Sequence, residues 1–221
     1  MANDDVHGDR FRHDGYGAVA AVAFDMGGVL THTSFGGLEA YAHTLGLPEG
    51  LLTSYFRGHP KMVLLETAKI SSREFFKFVC TDSEQRTGIR LDIRELASAA
   101  AKGEVLNPAM LELVAEVHRN CTTALLTNNV AEAGWRATFP FDLFDVVIDS
   151  SQVGVRKPEP RIYEELIRRL DVPAETIAFI DDLPENLPPA ARLGIRSVLF
   201  TGADELRSAM TKMGALGTTA R

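Results

Sequence analysis

Five short apolar segments recur along this chain, and each of them ends at a turn or at polar residues. They span residues 18–24, 123–126, 146–148, 177–180 and 197–200. The first, AVAAVAF, is apolar throughout, which is typical of a strand buried on both faces of a sheet. Helical patterns at 108–119, 160–170 and 186–193 separate the later segments. This alternation predicts an α/β fold of three layers, in which helices cover both faces of a parallel, Rossmann-like sheet.

The stretch between the first and second apolar segments has a different character. From about residue 36 to residue 104 the apolar residues recur with a helical period, and no segment has the pattern of a strand. We therefore expect a helical cap inserted after the first strand. The core then consists of residues 18–35 and 105–214, and the ends at 1–17 and 215–221 are expected to be flexible tails.

The composition narrows the classes of partner and compartment. A formal net charge of −7 disfavours nucleic acids and anionic membranes, because both bind basic surfaces. No apolar run approaches the roughly 18 residues of a membrane-spanning helix, and the N-terminus lacks the apolar segment of a signal peptide. The two cysteines, Cys80 and Cys121, lie far apart and favour a reducing compartment. We expect a cytoplasmic protein, in which a locally basic site can still bind a small anionic substrate.

Carboxylates end the first and the fourth apolar segments. In FDMGGVL, Asp25 follows the first segment and precedes two glycines. A carboxylate at such a strand end can act as a nucleophile or bind a cation, although for Asp25 alone an ordinary turn is the commoner explanation. Asp181 and Asp182 end the fourth segment in AFIDDLPENL. Because adjacent carboxylates repel each other, this pair favours a hard divalent metal such as Mg²⁺ over a helix cap.

The other two polar clusters suit an anion. In LLTNN, Thr127 and Asn128 offer a hydroxyl group, an amide and backbone N–H groups at a strand end. In VGVRKPEPRIY, Lys157 lies between a glycine turn and a helix that begins near a proline. Taken one at a time, ordinary turn chemistry is the better explanation for Thr127 and Asn128, and a solvated surface lysine is the commoner explanation for Lys157.

The four clusters occur in a fixed order along the chain: an Asp, a Thr, a Lys and an Asp pair. This order, with a helical insert after the first strand, closely resembles the haloacid dehalogenase (HAD) superfamily of hydrolases with a helical, C1-type cap. The most similar branch contains the N-terminal phosphatase domain of soluble epoxide hydrolase and the HAD-like domain of some acyl-CoA dehydrogenase fusions. The resemblance covers residues 18 to about 214 and implies the strand order 5-4-1-2-3.

The resemblance also implies how the clusters act together in phosphoryl transfer. Asp25 would be the nucleophile that forms an aspartyl-phosphate. Thr127 and Asn128 would bind the phosphoryl group, and Lys157 would pair with Asp25 and neutralise the charge that is transferred.

A Mg²⁺ ion is the cofactor that the resemblance implies. Asp182 would be the direct ligand of the last cluster, and Asp181 would tune the metal shell from beside it. The carboxylate of Asp25 and the backbone carbonyl of Gly27 would complete the protein ligands.

The chain departs from the phosphatase pattern at Gly27. Phosphatases of this superfamily carry a second Asp there, which protonates the leaving alcohol and then activates water. Its loss costs roughly 10²–10⁴ in rate. Three functions stay open: a Mg²⁺-dependent phosphatase for substrates with good leaving groups, a hydrolase of C–halogen or C–P bonds, and a non-catalytic binding or regulatory domain. The paired Asp181 and Asp182 count against dehalogenation, which in this superfamily needs no metal.

Four basic side chains are candidates for a supporting role. His32 follows the first cluster in an expected flap and could supply the missing proton. Arg57, His59 and Lys61 form a basic group between two cap helices, where a loop facing the site would influence the choice of substrate. A position in water is an equally good explanation for His32, and it is the better explanation for at least one of the other three.

Overall fold

The computed structural model describes residues 17–33, 35–102 and 104–217, with the side chains of Thr33 and Glu104 excluded. The N-terminal tail expected at 1–17 therefore lies outside the described residues except for Gly17, as do residues 218–221 of the C-terminal tail. No helix in these described ranges is both long enough and apolar enough to cross a membrane.

Seven strands are found in the described part of the chain, and five of them form one parallel sheet. In chain order the strands are β1 (Ala21–Phe24), β2 (Thr31–Thr33), β3 (Glu104–Leu106), β4 (Thr122–Thr127), β5 (Val146–Asp149), β6 (Ile177–Asp181) and β7 (Arg196–Leu199). The sheet order is β5-β4-β1-β6-β7, and every pair in it is parallel. If the five sheet strands alone are numbered 1 to 5 in chain order, the sheet reads 5-4-1-2-3 from the β7 edge. The predicted strand order is therefore confirmed.

α-Helices fill most of the connections between these strands; a turn joins β1 to β2, and two short 3₁₀ helices, Gly134–Ala137 and Phe141–Leu143, lie between β4 and β5. The cap contains α1 (Gly36–Thr44), α2 (Leu51–Phe56), α3 (Pro60–Glu66), α4 (Ser72–Thr87) and α5 (Ile93–Ala101). The core contains α6 (Pro108–His118), α7 (Ser150–Val153), α8 (Pro160–Leu170), α9 (Leu187–Arg192) and α10 (Ala203–Lys212). The predicted helical insert after the first strand is therefore confirmed.

Local signals explain where two of these helices begin. Ahead of α6, the Asn107 side chain accepts a hydrogen bond from the backbone N–H of Met110, and Pro108 occupies the first turn, where its missing N–H costs little. Ahead of α4, Ser71 and Glu74 form a reciprocal capping box.

The sheet separates two apolar clusters, and the alternation of side chains along β1 supplies both. Val22 and Phe24 point to the cluster that contains residues of α6 and α10. Ala21 and Ala23 point to the cluster that contains residues of α8 and α9. Because all four are fully buried, β1 is the central strand that the continuous apolar pattern indicates.

The cap has an apolar cluster of its own. Leu52, Tyr55, Phe75, Val79 and Leu96 are at most 1% exposed and pack together with other cap residues. The cap is thus a second folded unit with its own interior, carried by the chain between β2 and β3.

The two strands that connect the core to the cap pair with each other. Strand β2 runs antiparallel to β3, with Thr31 opposite Leu106 and His32 opposite Val105. The sequence pattern indicated a flap at His32 but no strand pair, and it assigned residue 104 to the helical cap rather than to a strand. At the other end, Ala215 and Leu216 are buried in the core, so the packed structure extends beyond residue 214, where the flexible tail was expected to begin.

Candidate active site

Asp25 begins the site at the carboxyl end of the central strand. Phe24 lies level with Leu125 of β4 and with Ile180 of β6. The polar residues that follow these three strands therefore meet at one edge of the sheet, where parallel α/β sheets bind their ligands. A tight turn follows Asp25, in which the N–H groups of Leu30 and Thr31 both donate to the carbonyl of Met26 at 2.9 Å.

Lys157 connects the first and the last carboxylate clusters. Its Nζ atom lies 2.6 Å from Oδ1 of Asp25 and 2.7 Å from Oδ2 of Asp181. The lysine side chain is 1% exposed, so this cation is buried and paired rather than solvated. A buried lysine needs such pairing, and the surface explanation for Lys157 is wrong.

Asp181 is held by groups from its own segment. Asn186 donates from Nδ2 to both carboxylate oxygens, at 2.9 and 3.0 Å, and the backbone N–H of Leu183 donates to Oδ1 at 2.9 Å. Tyr163 in turn donates to the carbonyl of Asn186 at 2.7 Å. This network fixes the position of Asp181, and Asp181 in turn holds the ammonium group of Lys157 opposite Asp25.

Asn128 holds the backbone of Lys157. Its Oδ1 accepts from the N–H of Lys157 at 2.8 Å, and its Nδ2 donates to the carbonyl of Lys157 at 3.0 Å. The side-chain amide is thus engaged in placing the lysine, and an anion would meet Asn128 through its backbone. Thr127, which is 1% exposed, lies at the same edge of the sheet.

Asp182 has the surroundings of a metal ligand. Carboxylate oxygens of Asp25, Asp181 and Asp182 lie within 4.8 Å of one another. Oδ1 of Asp182 is buried without a hydrogen-bond partner among the described residues, and such a buried oxygen calls for a cation. Gly28 lies beside the Asp182 carboxylate and has a φ of +77°. A Cβ on residue 28 would overlap that carboxylate. The cluster fits a Mg²⁺ ion, because Asp25 contacts Lys157 through Oδ1 and has a second oxygen to offer, and Asp182 adds its buried Oδ1.

Burial dominates the electrostatics of this site. Burial raises the pKa of Asp25 to about 7, although Lys157 opposes the shift; nearby Asp181 adds to it. Burial, followed by Asp181, also raises the pKa of Asp182. For Lys157 burial acts to lower the pKa, but Asp25 and Asp181 outweigh it and raise the pKa above its usual value. The lysine therefore stays charged, and a further cation beside the carboxylates would be well compensated.

Gly27 and His32 occupy the connection to the flap. Gly27 is partly buried in the turn after Asp25 and forms an isolated bridge with Thr31. It brings its backbone, but no carboxylate, to the site. His32 is exposed on β2, so its position in the described structure is that of a flap residue in contact with water.

The three basic cap residues have separate surroundings. The guanidinium group of Arg57 lies 4.8 Å from the ring centre of Phe35. His59 precedes α3, where Nδ1 accepts from the backbone N–H of Lys61 at 3.1 Å. Its ring packs against Tyr55, with 5.7 Å between the ring centres. His59 thus has a defined structural task in the cap, and a role for these residues in substrate choice stays a prediction.

Several residues of the site carried no assignment from sequence. Asn186 and Tyr163 lie inside the quoted segments, and their side chains support Asp181. The spacing of Asn186 from Asp181 was the available signal, because the two lie on one strand–turn–helix segment. Glu66 in the cap pairs with Arg156 in the core, and no local sequence pattern indicates such a contact.

Comparison with known proteins identifies the family of the chain. The haloacid dehalogenase-like hydrolase family matches residues 19–194. Bifunctional epoxide hydrolase 2 of Sus scrofa is 30% identical over 206 residues, which cover 85% of this chain and 37% of that protein. Phosphatase MT3486 of Mycobacterium tuberculosis is 25% identical over 214 residues, with coverage of 90% and 96%.

A solved structure gives the same fold. The HAD family enzyme of Bacteroides thetaiotaomicron, in complex with magnesium and inorganic phosphate, aligns with a TM-score of 0.68 at 20% identity and covers 83% of this chain and 94% of its own. The aligned part of the chain spans only 37% and 19% of the lengths of the first two curated relatives, an epoxide hydrolase and an acyl-CoA dehydrogenase family member. With the family match over residues 19–194, these findings establish that the chain belongs to the haloacid dehalogenase-like hydrolases.

Proposed function

We propose that this protein is a Mg²⁺-dependent phosphatase that acts on a small phosphorylated metabolite with a good leaving group. The observation that carries the proposal is the buried Lys157 between Asp25 and Asp181, with the unpaired Asp182 oxygen beside them. A fixed cation next to a nucleophilic carboxylate suits phosphoryl transfer, which depends mainly on positioning and on neutralising charge. A relative described as a phosphatase and a neighbour in complex with magnesium and phosphate support the same class.

The residues can be assigned to two chemical steps. A carboxylate oxygen of Asp25 attacks phosphorus, and the bond from phosphorus to the leaving oxygen breaks with its electron pair. Water then attacks the aspartyl-phosphate, releasing inorganic phosphate and restoring Asp25. Lys157 neutralises charge on the transferred group, while Asp181 and Asn128 hold the lysine in place. A Mg²⁺ ion held by Asp25, Asp182 and the carbonyl of Gly27 would polarise the phosphoryl oxygens.

Gly27 determines the kind of substrate in this proposal. Without a carboxylic acid at residue 27, the leaving oxygen receives no proton from that position, so an alkoxide of high pKa leaves slowly. Aryl and acyl phosphates need little protonation and are the substrates expected to react.

Hydrolysis of C–halogen or C–P bonds and a non-catalytic binding role are the alternatives, and Gly27 is the feature that favours them. The three clustered carboxylates support the phosphatase instead, because a site built for dehalogenation has no need of a metal.

The test measures kcat/KM for a series of aryl, acyl, sugar and simple alkyl phosphates with and without Mg²⁺. We expect a steep dependence on leaving-group pKa, complete loss of activity in Asp25→Asn, and loss without Mg²⁺. Gly27→Asp should flatten the dependence by raising alkyl-phosphate hydrolysis by up to roughly 10²–10⁴-fold.

Two outcomes would contradict the proposal. If wild type hydrolyses alkyl and aryl phosphates equally fast with chemistry rate-limiting, another acid is present, and His32→Ala identifies whether it is His32. If no phosphate ester reacts under any condition, the phosphatase assignment is wrong and the alternatives take its place.

A further inference from the structure

One buried ion pair joins the cap to the core beside the site. Glu66 is the last residue of α3, and Arg156 lies in the core loop that leads to Lys157. Oε2 of Glu66 and Nε of Arg156 are 2.9 Å apart, and the two side chains are only 11% and 18% exposed. Neither atom has a regular hydrogen bond in the described residues, so the pair makes close ionic contact in poor alignment.

A second contact of Glu66 reaches the other loop of the site. The hydroxyl group of Ser150 donates to the backbone carbonyl of Glu66 at 2.6 Å. The same hydroxyl accepts from the backbone N–H of Asn129 at 2.9 Å. Asn129 directly follows Asn128, which holds the backbone of Lys157. Glu66 therefore contacts the loop of Lys157 directly, through Arg156, and reaches the loop of Asn128 through Ser150.

The electrostatic environment of Glu66 does not favour its charged form, so the ion pair contributes little to the stability of the folded protein. Burial raises the pKa of Glu66, and the opposing effects of Arg156 and Lys157 do not cancel that rise. Its ionised form is therefore less favourable in the folded protein than in water. A buried ion pair of this kind is weak evidence for stability, and the contact of Glu66 with Arg156 places it next to the loop of Lys157.

We propose that Glu66 is a positioning residue, which places Lys157 between Asp25 and Asp181 when the cap is seated on the core. Its carboxylate acts through Arg156, the neighbour of Lys157, while its backbone carbonyl accepts from Ser150, whose hydroxyl group holds Asn129. Closure of the cap over the core and placement of Lys157 then occur together. A bound substrate reacts only once the cap has closed and excluded water from the site. The inference rests on the proposed role of Lys157 in the reaction.

The chain offers a matched control at the same boundary. Glu132 is exposed, and its Oε2 accepts from the backbone N–H of Ser72 in the cap at 2.7 Å. Glu132→Gln makes the same substitution at another contact between cap and core, where an exposed carboxylate accepts from a backbone N–H, and contacts of exposed charged groups contribute little.

The experiment compares Glu66→Gln with Glu132→Gln in the full chain with Mg²⁺ and an aryl phosphate. Because misplacing a catalytic group through its supporting residues costs about 10–100-fold, kcat should fall by that factor in Glu66→Gln, with KM changing much less. Arg156→Gln should have a similar effect, and the double variant should be no worse than the poorer single variant, because the two residues act as a unit.

A second readout does not depend on turnover. Amide hydrogen exchange over residues 150–157 should be faster in Glu66→Gln than in Glu132→Gln, since Arg156 loses its ionic partner in the cap and only the contact of Ser150 with the backbone carbonyl of residue 66 remains. If Glu66→Gln fails to fold, Glu66→Asp keeps the charge on a shorter side chain and should show the same two changes to a smaller extent.

The outcomes separate this inference from the proposed function. If Glu66→Gln retains kcat within twofold of the control, or exchanges like the control over residues 150–157, the inference is overturned even though wild type is active. If wild type has no phosphatase activity, the proposed function fails, and the exchange measurement alone decides whether Glu66 positions the loop of Lys157.

Discussion

At the residue scale, the proposed binding of Mg²⁺ by Asp182 can be measured directly through thermal unfolding. If Asp182 binds Mg²⁺, the ion stabilises the folded state by mass action. At Mg²⁺ about 100-fold above its Kd, the midpoint of thermal unfolding should rise by roughly 5–10 °C. Asp182→Ala should abolish the rise, whereas Asp142→Ala, which removes an exposed carboxylate, should preserve it. An equal Mg²⁺ response in Asp182→Ala and wild type would remove Asp182 from the metal site.

The raised pKa of Asp25 makes metal binding depend on pH. A carboxylate with a pKa of about 7 carries a proton at pH 6, and that proton must leave before a cation binds. The Kd for Mg²⁺ should therefore fall by about tenfold per pH unit below pH 7 and level off above it. Calorimetric titration with Mg²⁺ between pH 5.5 and pH 8.5 measures this, and a Kd that is constant over the range would contradict it.

Glu66 should lower the stability of the folded protein as the pH rises. Its folded pKa is raised above the usual value of 4.5, so its stabilising contribution is present below about pH 4.5 and is lost as the pH rises through the folded pKa. Glutamine does not titrate. The midpoint of unfolding of Glu66→Gln, relative to wild type, should therefore be higher at pH 8 than at pH 5. A relative decrease over this interval would mean that the Arg156 pair stabilises the fold.

At the element scale, the turn after β1 shows why two glycines in a row matter. Gly28 combines φ of +77° with a position where a Cβ would overlap Asp182. Gly46 has a similar φ of +70° but no heavy atom within 4 Å of a Cβ. Gly28→Ala and Gly46→Ala should both lose about 1–2 kcal/mol from backbone strain. Only Gly28→Ala should also lose the Mg²⁺-induced rise in unfolding temperature, and the same loss in Gly46→Ala would point to a general effect of strain.

The elements also show what the sequence could predict. The sheet strands and the helical insert were predictable because each is written in consecutive residues, as an apolar run or a helical period. The pair of β2 and β3 was not predictable, because each has three residues and the whole cap lies between them. Asn128 was identified as a polar group at a strand end, but only the fold reveals that its amide holds the backbone of Lys157. Glu66 has no local signal, since its partner Arg156 belongs to another domain.

At the scale of the whole molecule, the cap and the core have separate apolar interiors. A cavity made in one should therefore weaken that unit first. Leu52→Ala, at a fully buried cap position, should remove about 2–5 kcal/mol and speed amide exchange mainly within residues 36–101. Leu125→Ala, at a fully buried position of β4, should act mainly on the sheet. Equal acceleration of exchange in both units by either variant would mean that cap and core unfold together.

The pairing of β2 with β3 has a consequence for how such a molecule can change over evolution. The chain leaves the core along one strand and returns along its antiparallel neighbour, with Thr31 opposite Leu106. Paired residues in such a ladder are only about 5 Å apart. Any insert whose two ends are that close can take the place of the cap as a cassette, without altering the order of the sheet or the residues at its edge. The sheet and the cap can then be inherited separately, through one exchange of a continuous gene segment, provided that the new insert supplies its own contact with the loop of Lys157.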